Sequence, residues 1–113
     1  MKIEGCPGTS VKKMTPVHGL QCLEVSILPG GSVPLHSHSC AATMIVVAGE
    51  ARKLTKDGRK GRLVRTGAVI IKQANQPHGF AGVGPNGFKF ISLSEGKGIV
   101  RDHNELDLAF AGS

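Results

Sequence analysis

At 113 residues, with 40% hydrophobic and 19% charged positions, the chain has the size of one domain that can bury roughly two-thirds of its unfolded surface. Its 16 Gly and 6 Pro suit many short strands joined by tight turns better than a helical bundle. No apolar run approaches the length of a membrane span and the Met1 to Gly5 start lacks a signal-peptide core, so a cytoplasmic protein that does not enter a membrane is expected.

The segment Leu20 to Leu28 alternates, with Leu23, Val25 and Ile27 on one face and Cys22, Glu24 and Ser26 on the other, as a half-buried strand does. Pro29-Gly30-Gly31 breaks it, and extension resumes over Val33 to His38. Thr43 to Ala48 is rich in β-branched residues and predicts a strand that ends in a turn at Gly49-Glu50. Ala51 to Thr55 and Arg62 to Arg65 read as the arms of a hairpin around Asp57-Gly58. Ala68 to Lys72, Pro77 to Ala81 and Phe88 to Leu93 follow as further strands, and Asn104 to Ala111 fits a short helix or a strand equally well. Turn signals at this spacing predict an all-β protein, an antiparallel barrel or sandwich occupying residues 1–113 as one domain.

The formal charge of +6 is concentrated: seven of the 14 Lys and Arg lie between Arg52 and Arg65, on the predicted hairpin. The four Phe fall outside that ribbon and Trp and Tyr are absent, so stacking platforms are scarce and nucleic acid is not the expected partner. Cys6, Cys22 and Cys40 are odd in number and form no CxxC pair. They are expected as free thiols, without a disulfide framework or zinc ribbon.

The chemistry-bearing feature is His36-Ser37-His38, followed by His78 on a later strand. Strand residues two apart face the same side, so His36 and His38 aim two imidazoles at one region, which His78 can complete. Such a cluster suits a divalent transition metal, Fe, Zn, Mn, Ni or Cu. Met44 and Val46 share the strand parity of Ala42, and Phe80 shares that of His78, which predicts an apolar cavity beside the histidines. Cys40, Gln73 and Gln76 are the polar candidates near it, and Glu24 is a candidate for orienting an imidazole. His18 and His103 sit in polar, turn-like surroundings and are expected at the surface.

The spacing of these residues resembles that of the cupins. The first cupin motif, G(X)5HXH(X)3-4E(X)6G, reads here as Gly30, His36, His38, Ala42 in place of the glutamate, and Gly49. The second motif places Gly67 and His78 in register, with Gln73, Asn75 and Gly82 at its Pro, Gly and Asn positions. Asn is a sensible replacement for that glycine because it tolerates a left-handed turn. The resemblance implies a small jelly-roll β-barrel, a metal held inside it by His36, His38 and His78, and a homodimer. It also implies similarity to three-histidine non-haem iron dioxygenases that act on thiols or β-diketones, with no catalytic side chain assignable beyond the metal ligands.

With Ala42 replacing a carboxylate, three neutral imidazoles leave a divalent ion its full charge, so a small, anionic, chelating ligand is expected. A ligand- or metal-sensing module without turnover and a barrel whose metal site has decayed are the alternatives.

Overall fold

The computed structural model describes residues 1–111. Its strands are β1 (Thr9–Lys13), β2 (Gln21–Ile27), β3 (Val33–Ser37), β4 (Ala42–Leu54), β5 (Lys60–Arg65), β6 (Val69–Lys72), β7 (His78–Ala81), β8 (Phe88–Ser94) and β9 (Ala109–Phe110). All pairings are antiparallel. One sheet runs β1-β2-β8-β4-β6 and the other β5-β4-β7-β3-β9, so β4 belongs to both. The result is the curled, two-layered β-barrel expected from the turn spacing.

The strand β4 corrects one expectation. No turn separates Thr43–Ala48 from Ala51–Thr55; the chain runs on through Leu54. Gly49, at φ 74°, forms no reversal. Instead the register against β8 slips between Val46 and Ala48, a bulge that bends the strand from one sheet into the other. A side chain at Gly49 would collide with the Gly87 carbonyl, which its Cβ would approach to 1.9 Å. Glycine is therefore needed both for the conformation and for the close approach.

Two further differences lie at the ends of the chain. The polar stretch Thr9–Lys13, which carries a single aliphatic residue, forms β1 by pairing with β2 from Thr9↔Ile27 to Lys13↔Leu23. Of the two readings for Asn104 to Ala111, the extended one holds: a 3-10 turn occupies Asp102–Asn104, and Ala109–Phe110 pairs with β3. The Asp57-Gly58 hairpin is present, with its turn closed by the Gly58 amide donating to the Thr55 carbonyl at 2.9 Å.

The core between the sheets contains Val25, Ile27, Met44 and Val46, with Phe80, Phe88 and Phe90 packed as mutually tilted rings at centroid distances of 5.1–5.7 Å. Each buried ring of this kind contributes about 1.5–3 kcal/mol through burial, so this cluster anchors β7 and β8 against each other. The segment after β8 closes the mouth of the barrel. Its clamp is Gln21, whose side chain accepts from the amides of Ile99 and Val100 at 2.9 Å and donates to the Val100 carbonyl at 2.7 Å. That clamp brings Ile99, Val100 and Leu106 over the interior.

Candidate metal centre

The three histidines converge because two strands are in register. His36 on β3 is the direct partner of His78 on β7, and His38 follows two residues on, with the same facing. Gly79 permits the approach: a Cβ there would stand 2.5 Å from the Val33 carbonyl oxygen. Upstream of His78, Asn75 adopts φ 62° and donates its amide to the His38 carbonyl at 2.7 Å. The left-handed turn anticipated for Asn75 thus ties the two histidine-bearing strands together.

Ring centroids are 4.1 Å apart for His36 and His78, 4.8 Å for His36 and His38, and 5.1 Å for His38 and His78. The potential ligand atoms all lie within 4.8 Å of one another. All three residues are buried, with 4–6% of their surface exposed. Among the described residues this is the one cluster of three or more His, Cys, Asp or Glu with such a geometry.

Hydrogen bonds prepare two of the rings. His36 Nδ1 donates to the Pro34 carbonyl at 2.8 Å, and His38 Nδ1 donates to the Asp107 carbonyl at 2.6 Å. A carbonyl can only accept, so Nδ1 carries the proton and Nε2 presents its lone pair to the interior. Asp107 is itself fixed, its carboxylate accepting from the Ser39 amide at 3.0 Å, the Ser39 hydroxyl, and the Arg101 guanidinium at 2.9 Å. Burial opposes the charge on that carboxylate, but Ser39 and Arg101 outweigh it and hold its pKa below the usual range.

His78 lacks such a firm anchor: its Nδ1 is buried and makes no hydrogen bond of good geometry, with only a weak influence of the Gln76 backbone on the ring. A buried polar atom of this kind usually finds an ion, water or ligand.

The imidazoles are held neutral. Burial lowers His36 to about 4, with the Pro34 carbonyl opposing and His38 and Lys72 adding to the effect. Burial, reinforced by the other two histidines and Lys72 and only weakly opposed by the Gln76 backbone, lowers His78 to about 2. His38 is lowered too, chiefly by burial. Three neutral imidazoles, two of them tautomerically fixed and the third with a buried nitrogen that makes no well-formed hydrogen bond, are a fit donor set for a divalent transition ion.

Beside the histidines lies a cavity of about 60 Å³. Ala42, Met44 and Phe80 line it, together with Val25, Phe90 and Ser92. Val46 is fully buried but lies outside the lining, in the packed core. Cys40 is half-buried in a separate surface depression with Arg101 and Glu95. Gln73 and Gln76 are exposed and serve each other, the Gln73 amide donating to the Gln76 side chain at 2.8 Å. Glu24 faces outward to Lys89 at 3.6 Å. His18 and His103 are both exposed.

Sequence reasoning missed three polar participants. Asp107 acts through its backbone carbonyl, which no side-chain pattern announces. Lys72 and Ser94 are buried inside the barrel, at 2% and 0% exposure. The sequence of β6, Val69-Ile70-Ile71-Lys72, gives no sign of the buried lysine: Val69 and Ile71 are exposed while Ile70 and Lys72 are buried.

A family model described as a cupin domain matches residues 23–94. Among solved structures, the chain is similar to the polyketide cyclase RemF from Streptomyces resistomycificus, with TM-score 0.70 and 22% identity over 80% of this chain and 66% of that one. It is similar to a conserved protein with a double-stranded β-helix domain from Klebsiella pneumoniae, with TM-score 0.71 and 21% identity over 96% and 89% of the two chains. A predicted oxalate decarboxylase from Thermotoga maritima gives TM-score 0.67 and 18% identity over 80% and 78%. At these identities the likeness establishes the shared fold. No curated protein sequence matches the chain.

Proposed function

The chain belongs to the cupin family, and we propose that it is a small metalloprotein of that family in which His36, His38 and His78 hold one divalent transition ion. The proposal extends to turnover: a dioxygenase-like or related reaction on a small organic ligand seated in the adjoining cavity. The observation that carries it is the convergence of three buried, neutral imidazoles on one interior point.

The chain's own residues have definable tasks. Pro34 and Asp107, through their carbonyls, orient His36 and His38. Met44, Phe80 and Phe90 line the ligand's side of the cavity with apolar surface, while Ile99 and Leu106 cover it; together they exclude water and raise the strength of polar interactions inside. A bound divalent ion would supply Lewis acidity and, if redox-active, a means of engaging dioxygen. No carboxylate lines the cavity among the described residues. That observation favours the second reading, a ligand- or metal-sensing cupin without turnover.

Oxygen uptake separates the two readings. Protein loaded with Fe(II) and offered thiols, β-diketones and phenolic acids should consume dioxygen with at least one class. Stoichiometric iron without uptake across the panel would leave the sensor reading in its place.

A homodimer is proposed as well. The edge strand β6 pairs only with β4 among the described residues, and its outer face exposes Val69 and Ile71 at 58% and 68% beside Val47 at 42%. A second copy is the occupant that suits a short apolar edge strand.

A further inference from the structure

We propose that Arg101 is a positioning residue for the metal centre: by holding Asp107 it fixes the loop that walls the cavity and, through that loop, the aim of His38. The inference rests on the metal reading above and deepens it by naming a side chain outside the site that controls one of its ligands.

The loop folds back on itself. After β8, Val100 bridges Leu106, the Asp107 amide donates to the Ile99 carbonyl at 2.8 Å, and the Arg101 amide donates to the Glu105 carbonyl at 2.6 Å. Its apolar residues Ile99, Val100, Leu106 and Leu108 line the same cavity as the three histidines. The loop is therefore a wall of the site, and its two arms carry Arg101 and Asp107.

Arg101 spans those arms. Its Nε donates to the Gly98 carbonyl at 2.9 Å, and its Nη2 donates to the Asp107 carboxylate at 2.9 Å. The planar guanidinium fixes its two partners relative to each other, as a flexible ammonium would not. Asp107 passes this order on to the rim of the barrel. Its carboxylate accepts from the amide and the hydroxyl of Ser39, and its carbonyl accepts from His38 Nδ1 at 2.6 Å. Two consecutive rim residues are thus held by one residue of the loop.

The ends of the loop have fastenings of their own. Gln21 grips Ile99 and Val100, and β9 pairs with β3. The side chains of Arg101 and Asp107 are 32% and 18% exposed, and a partly exposed ion pair adds little to overall stability. Removing the guanidinium should therefore leave the barrel folded and loosen the loop around Asp107. His38 then loses the firm acceptor that keeps its proton on Nδ1 and its Nε2 lone pair toward the interior. His36 is spared, because its own acceptor, the Pro34 carbonyl, lies on β3.

Two measurements test this: imidazole nitrogen-15 spectra of the metal-free protein at neutral pH, and cobalt(II) affinity by competition with a chelator. The control is Lys89→Met, which breaks the ion pair with Glu24 away from the loop. Wild type should show His36 and His38 both as the Nδ1–H tautomer. Arg101→Met should mix the tautomers of His38, leave His36 unchanged and weaken cobalt about tenfold, the low end of what losing a partner behind a ligand costs. Lys89→Met should match wild type. Asp107→Ala, which releases Ser39 as well and keeps the backbone carbonyl, should act in the same direction and more strongly, and it carries the comparison if Arg101→Met does not fold. A pure Nδ1–H tautomer at His38 in the folded variant, equal disturbance of His36 and His38, or cobalt affinity equal to the control overturns the inference. Wild-type protein that takes up no cobalt overturns the metal reading, and the nitrogen spectra then decide by themselves whether Arg101 sets the His38 ring.

Discussion

His36, His38 and His78 refuse protons that the unfolded chain accepts. An unfolded imidazole titrates near the ordinary 6.5, whereas folded His36 is lowered to about 4 and His78 to about 2. Between these values the unfolded state binds more protons, so stability is retained above 6.5 and falls as the pH drops toward the folded values. The metal-free protein should therefore lose stability below pH 6.5, each histidine contributing a slope of up to ~1.4 kcal/mol per pH unit. Urea titrations at stepwise lower pH check this, and a flat profile from pH 7 to 5 would contradict it. Lys72→Met removes a buried ammonium whose desolvation outweighs the attraction of Asp107 and should raise the melting temperature of the metal-free protein by several degrees, about 1 kcal/mol corresponding to roughly 4 °C at this size. The histidines were legible because a period of two fixes their facing from spacing alone. Lys72 was not, because burying a lysine while exposing Val69 and Ile71 reverses the usual preference.

The site depends on β3 and β7 lying close enough for His36 to face His78. Gly79 enforces that closeness, with a Cβ there placed 2.5 Å from the Val33 carbonyl oxygen and 2.9 Å from the Leu54 side chain. Gly79→Ala should force β7 away from β3, destabilise the protein by about 1–3 kcal/mol and weaken metal binding more than an alanine placed on the exposed hairpin. Thermal melts and cobalt titrations of the two variants give the comparison. Most strands could be located from alternation and turn residues, but the path of β4 could not. Gly49-Glu50 has the composition of a turn, and only the Gly87 backbone pressed against it shows that the glycine serves a bend between sheets. β1 was invisible because Thr9 and Val11 alone carry its inward face, too little apolar patterning to register as a strand.

At the scale of the whole molecule, charge and apolar surface are segregated. The basic hairpin Arg52 to Arg65 projects on one sheet, while the exposed Val47, Val69 and Ile71 belong to the other. This arrangement favours pairing through the β6 face, away from the repulsive ribbon. Ile71→Glu should shift the sedimentation of the protein from dimer to monomer, and an unchanged sedimentation coefficient would show that this face is not the interface. The cupin architecture was readable because the motif spacing records how far apart the histidine-bearing strands lie. The closure of the barrel by the Gln21 clamp was not, since it joins positions 78 and 79 residues apart in the chain.

The central claim is that three imidazoles bind one cation inside this barrel. It is tested most directly by the metal content of protein purified without chelators, compared with His78→Ala prepared identically. The account predicts about one transition-metal ion per wild-type chain and a strong depletion in the variant. Metal-free wild type, or a variant that keeps its full complement, would contradict it.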